Sequence, residues 1–211
     1  MAVQDKTLNF YSYNLHENTT VILVFAPPDS DQLSKKSFPV VWKAITFHAK
    51  KHNKANVQYT PRLAFAYGHM EEKDIFDPIA WAEVQNGDVI GISGTTYQLN
   101  FNEKTKGDDS SHIVCKNNTG EPINLSMGFA KGSEEYEPIL AWTRVGGGSN
   151  ATAQFKPKLT AYVTLNKVLR GGVETDAIWS IDLDEIDDVT GWNFVQDDAT
   201  GGFSIVPATS I

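Results

Sequence analysis

The chain is punctuated by turn signals every 8–12 residues, and the runs between them are too short for long helices. Most of these runs alternate in character with a period of two, which sends successive side chains to opposite faces of a strand. In residues 7–14, Leu8, Phe10 and Ser12 oppose Asn9, Tyr11 and Tyr13. Residues 21–26 (VILVFA) are continuously apolar, as in a strand buried on both faces, and Pro27-Pro28-Asp29 stops them. In 40–48, Val41, Lys43, Ile45 and Phe47 alternate with Val40, Trp42, Ala44 and Thr46, and a basic turn follows over 49–56. Another strand is predicted over 57–68, with Pro61 marking an edge or a bulge. Residues 71–83 are the least strand-like and read as room for a helical turn limited by Pro78. A hairpin is expected from 88–93 and 95–101 across Ser93-Gly94. Strands at 113–116 and 122–129 flank the turn Asn117-Asn118-Thr119-Gly120, and 178–183, 192–195 and 203–206 complete the set after a break at 169–172.

The stretch 136–165 stands at the centre of this pattern. Leu159, Ala161, Val163 and Leu165 share one strand face and Thr160, Tyr162 and Thr164 the other. The preceding arm sets Ile139, Ala141 and Thr143 against Leu140, Trp142 and Arg144. Between them Gly146, Gly147 and Gly148 read as a flexible hairpin loop, since no Gly-Lys-Ser/Thr ending follows to make a phosphate cradle.

These signals predict an all-β fold: an antiparallel, jelly-roll-like β-sandwich in one domain spanning 1–211, with a barrel as the alternative. At 211 residues, 41% hydrophobic and 11% aromatic, the chain can bury a sizeable core. No fixed-period repeat argues for a propeller or solenoid. No apolar run approaches the length of a membrane span, and the first residues lack the apolar core of a signal peptide. With Cys115 as the one cysteine there is no internal disulfide, and a cytoplasmic protein is expected, leaderless release remaining open. The sequons at Asn18, Asn117, Asn124 and Asn150 are read as chance matches.

Charge is sorted into blocks. The net charge of −8 argues against nucleic acid as a partner. Residues 171–211 hold nine acids and no Lys, Arg or His, which leaves the rest of the chain at about +1. Residues 35–62 carry Lys35, Lys36, Lys43, Lys50, Lys51, Lys54 and Arg62, plus His48 and His52, without one acid.

Candidate chemistry is sparse. His48 and His52 would share a helix face, but on a strand they stand ~13 Å apart, and the zincin Glu is missing between them. His112 and Cys115 fall on opposite faces of one strand, so a local nucleophile–base pair is excluded and Cys115 reads as a small buried thiol. Gly91-Ile92-Ser93-Gly94 falls short of a hydrolase elbow. Asp182, Asp184 and Asp187 are candidate cation ligands, with Ca2+ as the ion their oxygens would suit. Ile186 and Asp187 nevertheless occupy the fifth and sixth places, where an EF-hand loop wants Asp or Asn and then Gly, so a solvated acidic strand edge is the plainer reading. Trp42, Trp81, Trp142, Trp179 and Trp192 offer material for a sugar-stacking platform, although strand aromatics more often build core.

Taken in order, several segments form a wider pattern: Val24-Phe25-Ala26, Val41-Trp42-Lys43, RLAFAYGHME at 62–71, CKNNTGEPINLSM at 115–127, FKPKLTAYVTL at 155–165 and Trp192-Asn193-Phe194. This pattern resembles the rhizosphere-induced protein family of soluble bacterial proteins over nearly the whole chain. The glycine loop at 146–148 and the acidic block after 171 depart from it. The resemblance implies a non-enzymatic β-sandwich and transfers no functional residue.

The leading functional expectation is therefore a non-catalytic protein that binds or self-associates, its 35–62 and 171–211 blocks meeting head to tail if they lie on different faces. A carbohydrate-binding lectin and a small β-barrel enzyme with an enclosed acid or base are the alternatives.

Overall fold

The computed structural model describes residues 4–25, 37–71, 76–95, 97–133, 135–164 and 176–208. The proline stop at 27–29, the break at 169–172, Leu165, Lys35, Lys36 and Glu174 lie outside the described residues. Seventeen strands, numbered in chain order, and one 3-10 turn are described. They begin with β1 (Lys6–Ser12), β2 (Thr19–Phe25), β3 (Ser37–Pro39), β4 (Lys43–Phe47), β5 (Asn53–Met70) and β6 (Phe76–Val84). β7 (Asp88–Thr95), β8 (Gln98–Phe101), β9 (Thr105–Lys106), β10 (Ile113–Asn117), β11 (Ile123–Lys131) and β12 (Glu135–Val145) follow. β13 (Asn150–Ala153), β14 (Lys158–Thr164), β15 (Trp179–Asp182), the 3-10 turn (Leu183–Glu185), β16 (Val189–Gln196) and β17 (Phe203–Pro207) end the chain. The fold is all-β, built from antiparallel-rich sheets. Two pairings, β1 with β16 and β7 with β10, are parallel. Among the described residues no helix is long and apolar enough to cross a membrane.

The chain forms two compact units, the first from Met1–Ala26, Val41–Pro61 and Pro157–Ile211, the second from Pro27–Val40 and Arg62–Lys156. β5 runs through both. Its first residues pair with β1 as far as Tyr59 and its later ones with β6 from Leu63, so Pro61, which has no N–H to give a ladder, falls in the gap between the two pairings.

In the first unit the sheet β17-β16-β1-β5 faces the sheet β15-β14-β2-β4 across an aromatic core. Phe10 meets Trp179, Trp179 meets Trp192, and Phe47 stacks on Phe194 at 5.2 Å, each pair joining one sheet to the other. The expected face of β1 is the buried one, with Leu8, Phe10 and Ser12 inward, and β2 is buried along almost all its length. In the second unit one sheet runs β13-β10-β7-β8, with β9 on β7. The other carries β6 on β5 and continues through β11 and β12 to β3. Tyr67 of β5 bridges the two, its ring 5.2 Å from Phe101 and its hydroxyl donating to the Leu99 carbonyl at 2.7 Å.

Three local expectations are corrected. The arms of 136–165 do not form a hairpin: β12 lies between β11 and β3, whereas β14 lies between β15 and β2, and β13 pairs with β10. Residues 76–84 are strand, because a bulge opposite Tyr67/Gly68 accommodates Pro78. The hairpin turn lies beyond Thr95, which pairs with Gln98, so Ser93 and Gly94 are ladder residues opposite Asn100 and Leu99.

Candidate functional site

The basic turn of the first unit is a built element. Asn53 accepts from the His48 N–H at 3.0 Å and donates to the His48 and Lys51 carbonyls, closing the loop between β4 and β5. The Lys50 N–H donates to the Leu15 carbonyl, and Lys50 takes a left-handed φ of 55°. Around this frame His48, Lys50, Lys51, His52 and Lys54 are exposed. The His52 ring stands edge-on to Tyr13 at 4.8 Å, and the Lys54 ammonium lies 5.7 Å from the Tyr11 ring. The acids nearby are locally occupied, Asp198 by His16 at 3.0 Å and Asp197 by the N–H groups and hydroxyl of its own turn. Among the described residues Lys50, Lys51 and Lys54 enter no ion pair.

Register places the acidic segment at the other end of the same strands. The turn leaves where Asn53 pairs with Ser12, while residues 182–188 lead into β16, whose Val189 pairs with Thr7. Five residue steps along β1 separate those ends by about 17 Å. There Lys6 donates to the Ile186 carbonyl at 2.7 Å and approaches the Asp188 carboxylate at 3.6 Å. Asp184, Glu185 and Asp187 are exposed and enter no ion pair among the described residues.

The three aspartates put forward for a cation lie at the end of β15 and in the segment that follows it. β15 ends at Asp182, which accepts from the Asp184 N–H at 2.9 Å and caps the 3-10 turn, burying Leu183. No group of three or more His, Cys, Asp or Glu among the described residues is arranged to hold a metal. Burial, with the negative charges of Asp184 and Asp182 adding to it, drives the Tyr59 hydroxyl well above its usual range.

Two cavities are formed by described residues of the second unit. One, of about 400 Å³, is lined by Thr105, Lys106, Asp109, His112, Lys116 and Asn150 among others. Asp109 and Ser111 both engage His112 there, at 2.5 and 3.1 Å, but both do so at Nδ1. The Ser111 hydroxyl donates to Asp109 instead, at 2.6 Å. A nucleophilic triad needs serine on the ring nitrogen opposite the carboxylate, so this is a turn and not a triad. The Ser111 hydroxyl and N–H, then His112, hold the Asp109 carboxyl down at about 2. Burial would raise the Asp88 carboxyl, but Lys106 at 2.5 Å and the Gln85 N–H together keep it below its ordinary range. Cys115 is fully buried and burial pushes its thiol up to about 12, so it carries no nucleophile at neutral pH.

The other cavity, about 330 Å³, opens where the β7–β8 hairpin and the 118–122 loop flank the ends of β5 and β11. Tyr67, Ile79, Leu99, Pro122 and Ile123 give apolar walls, and His69, Thr95, Glu121 and Asn124 give polar ones. Asn117, fully buried, builds one wall: it donates to the Glu121 and Val145 carbonyls at 2.8 Å and accepts from the Thr119 N–H and hydroxyl. No sequence motif marks this cavity, because its walls come from segments 50 residues apart that only the sheet pairings bring together.

Of the tryptophans, Trp42, Trp142 and Trp192 are core. Trp81 is half-buried and stacks on Tyr136 at 5.4 Å, while the Tyr136 hydroxyl and the Arg62 guanidinium both bond Glu83. Compared with models of protein families, with curated proteins and with solved structures, the chain matches none.

Proposed function

We propose that this chain is a non-catalytic binding protein whose first unit self-associates head to tail, the basic turn at 48–54 of one copy meeting the acidic 184–188 segment of the next. The observation that carries the reading is the placement of uncompensated charge. Lys50, Lys51 and Lys54 stand at one end of β1 and Asp184, Glu185 and Asp187 at the other, about 17 Å along the strand. Charges so separated cannot neutralise one another within a copy, and two different patches meeting is the heterologous contact that builds rings or filaments. Exposed pairs of this kind contribute mainly to steering and register.

Light scattering after size exclusion tests it. The mass is expected above 23.3 kDa at low salt and to fall toward it at ~0.5 M salt, where screening is effective beyond a few ångströms. Lys50→Gln/Lys51→Gln/Lys54→Gln should lower the low-salt mass, and an unchanged mass in that variant sinks the proposal.

A further inference from the structure

The geometry points to a second site: the 330 Å³ cavity of the second unit is a binding pocket for a small organic ammonium with an apolar body. Its volume is in the range of natural small-molecule sites, which pair apolar walls with a few convergent polar groups. Ile79, one of the walls, is 55% exposed, so an apolar ligand seated against it would remove a large aliphatic side chain from water. Glu121 bears the only carboxylate of the lining, is exposed, and enters no ion pair among the described residues. The Asn124 Oδ1 is already taken by the Arg144 N–H at 3.0 Å, which leaves its amide N–H groups for an acceptor on the ligand. The wall itself is preformed, since Asn117 pins the Thr119–Glu121 backbone from beneath.

Gly120 supplies the test. Gly120 lines the cavity, a Cβ there would have nothing within 4 Å and the φ is ordinary, so a large side chain can be placed at the lining without straining the fold. The full chain is titrated at pH 8 with phenethylamine, 2-phenylethanol and phenylacetate, following amide shifts by NMR. The amine is expected to saturate, with a Kd of about 10 mM or below for so small a molecule, and about fivefold tighter than the acid. Gly120→Phe should abolish binding of all three, Glu121→Gln should erase the preference for the amine, and Ile79→Ser should weaken all three together. The proposal is overturned if no probe saturates, if Glu121→Gln keeps the preference, or if both Gly120→Phe and Ile79→Ser bind as the parent does.

Discussion

Asn117 shows how much one side chain does when all of its hydrogen-bonding capacity is used. Two carbonyls, one N–H and one hydroxyl depend on it in a fully buried site. Asn117→Ala would orphan several of these and should cost roughly 2–4 kcal/mol in denaturant unfolding. It should also loosen the Thr119–Glu121 wall, visible as faster amide exchange there. Asp109 makes a different prediction because its interactions favour the ionised form. Its folded value of about 2 lies below the ordinary 3.8, so its contribution is complete above both values and is lost as pH falls through them. Asp109→Asn should therefore flatten the dependence of the unfolding midpoint on pH between about 4 and 2, relative to the parent. Neither role could be read beforehand. Asn117 signalled a turn, which is correct but says nothing of Val145, 28 residues later. Asp182 offered the same oxygens to a cap as to a cation, and composition does not distinguish them.

Among the elements, faces were legible and partners were not. Alternation in β1 gave its buried side directly, because burial depends on period alone. The 136–165 segment reads as two strands with a glycine turn between them, yet each strand pairs elsewhere, β14 with β2 from Leu159 opposite Phe25. Local pattern carries no information about a partner that distant. Residues 76–84 escaped for a related reason, since Pro78 is disqualifying in a regular ladder and acceptable only opposite the bulge at Gly68. The same bulge yields a test. A Cβ on Gly68 would overlap the Asp77 carbonyl, and one on Gly94 the Gln98 carbonyl at a φ of 120°. Gly68→Ala and Gly94→Ala should each cost about 1–3 kcal/mol, measured by thermal or urea unfolding, whereas Gly120→Ala should be near neutral.

For the whole molecule, the sign of the salt effect is the discriminating quantity. A chain of net charge −8 repels its copies on average, and screening that repulsion would make it associate more as salt rises. End-to-end attraction between a basic turn and an acidic segment predicts the reverse, so dissociation with salt identifies local charge placement as the driver. The charge blocks themselves were plain in the sequence. That Asp198 and Asp197 are occupied at the basic end, while Asp184 and Asp187 are not at the other, required the fold.

The discontinuity of the first unit also has a consequence for biosynthesis. β2 pairs with β4 soon after it is made, but its other edge waits for β14, 134 residues downstream from Phe25 to Leu159. At 5–20 residues per second, roughly 7–27 s pass before that partner leaves the ribosome. Throughout, VILVF presents an unpaired apolar edge, the kind of strand that joins other chains. A nascent chain halted after β13 should thus recruit holdase chaperones and aggregate when they are depleted, while the released full-length protein does neither.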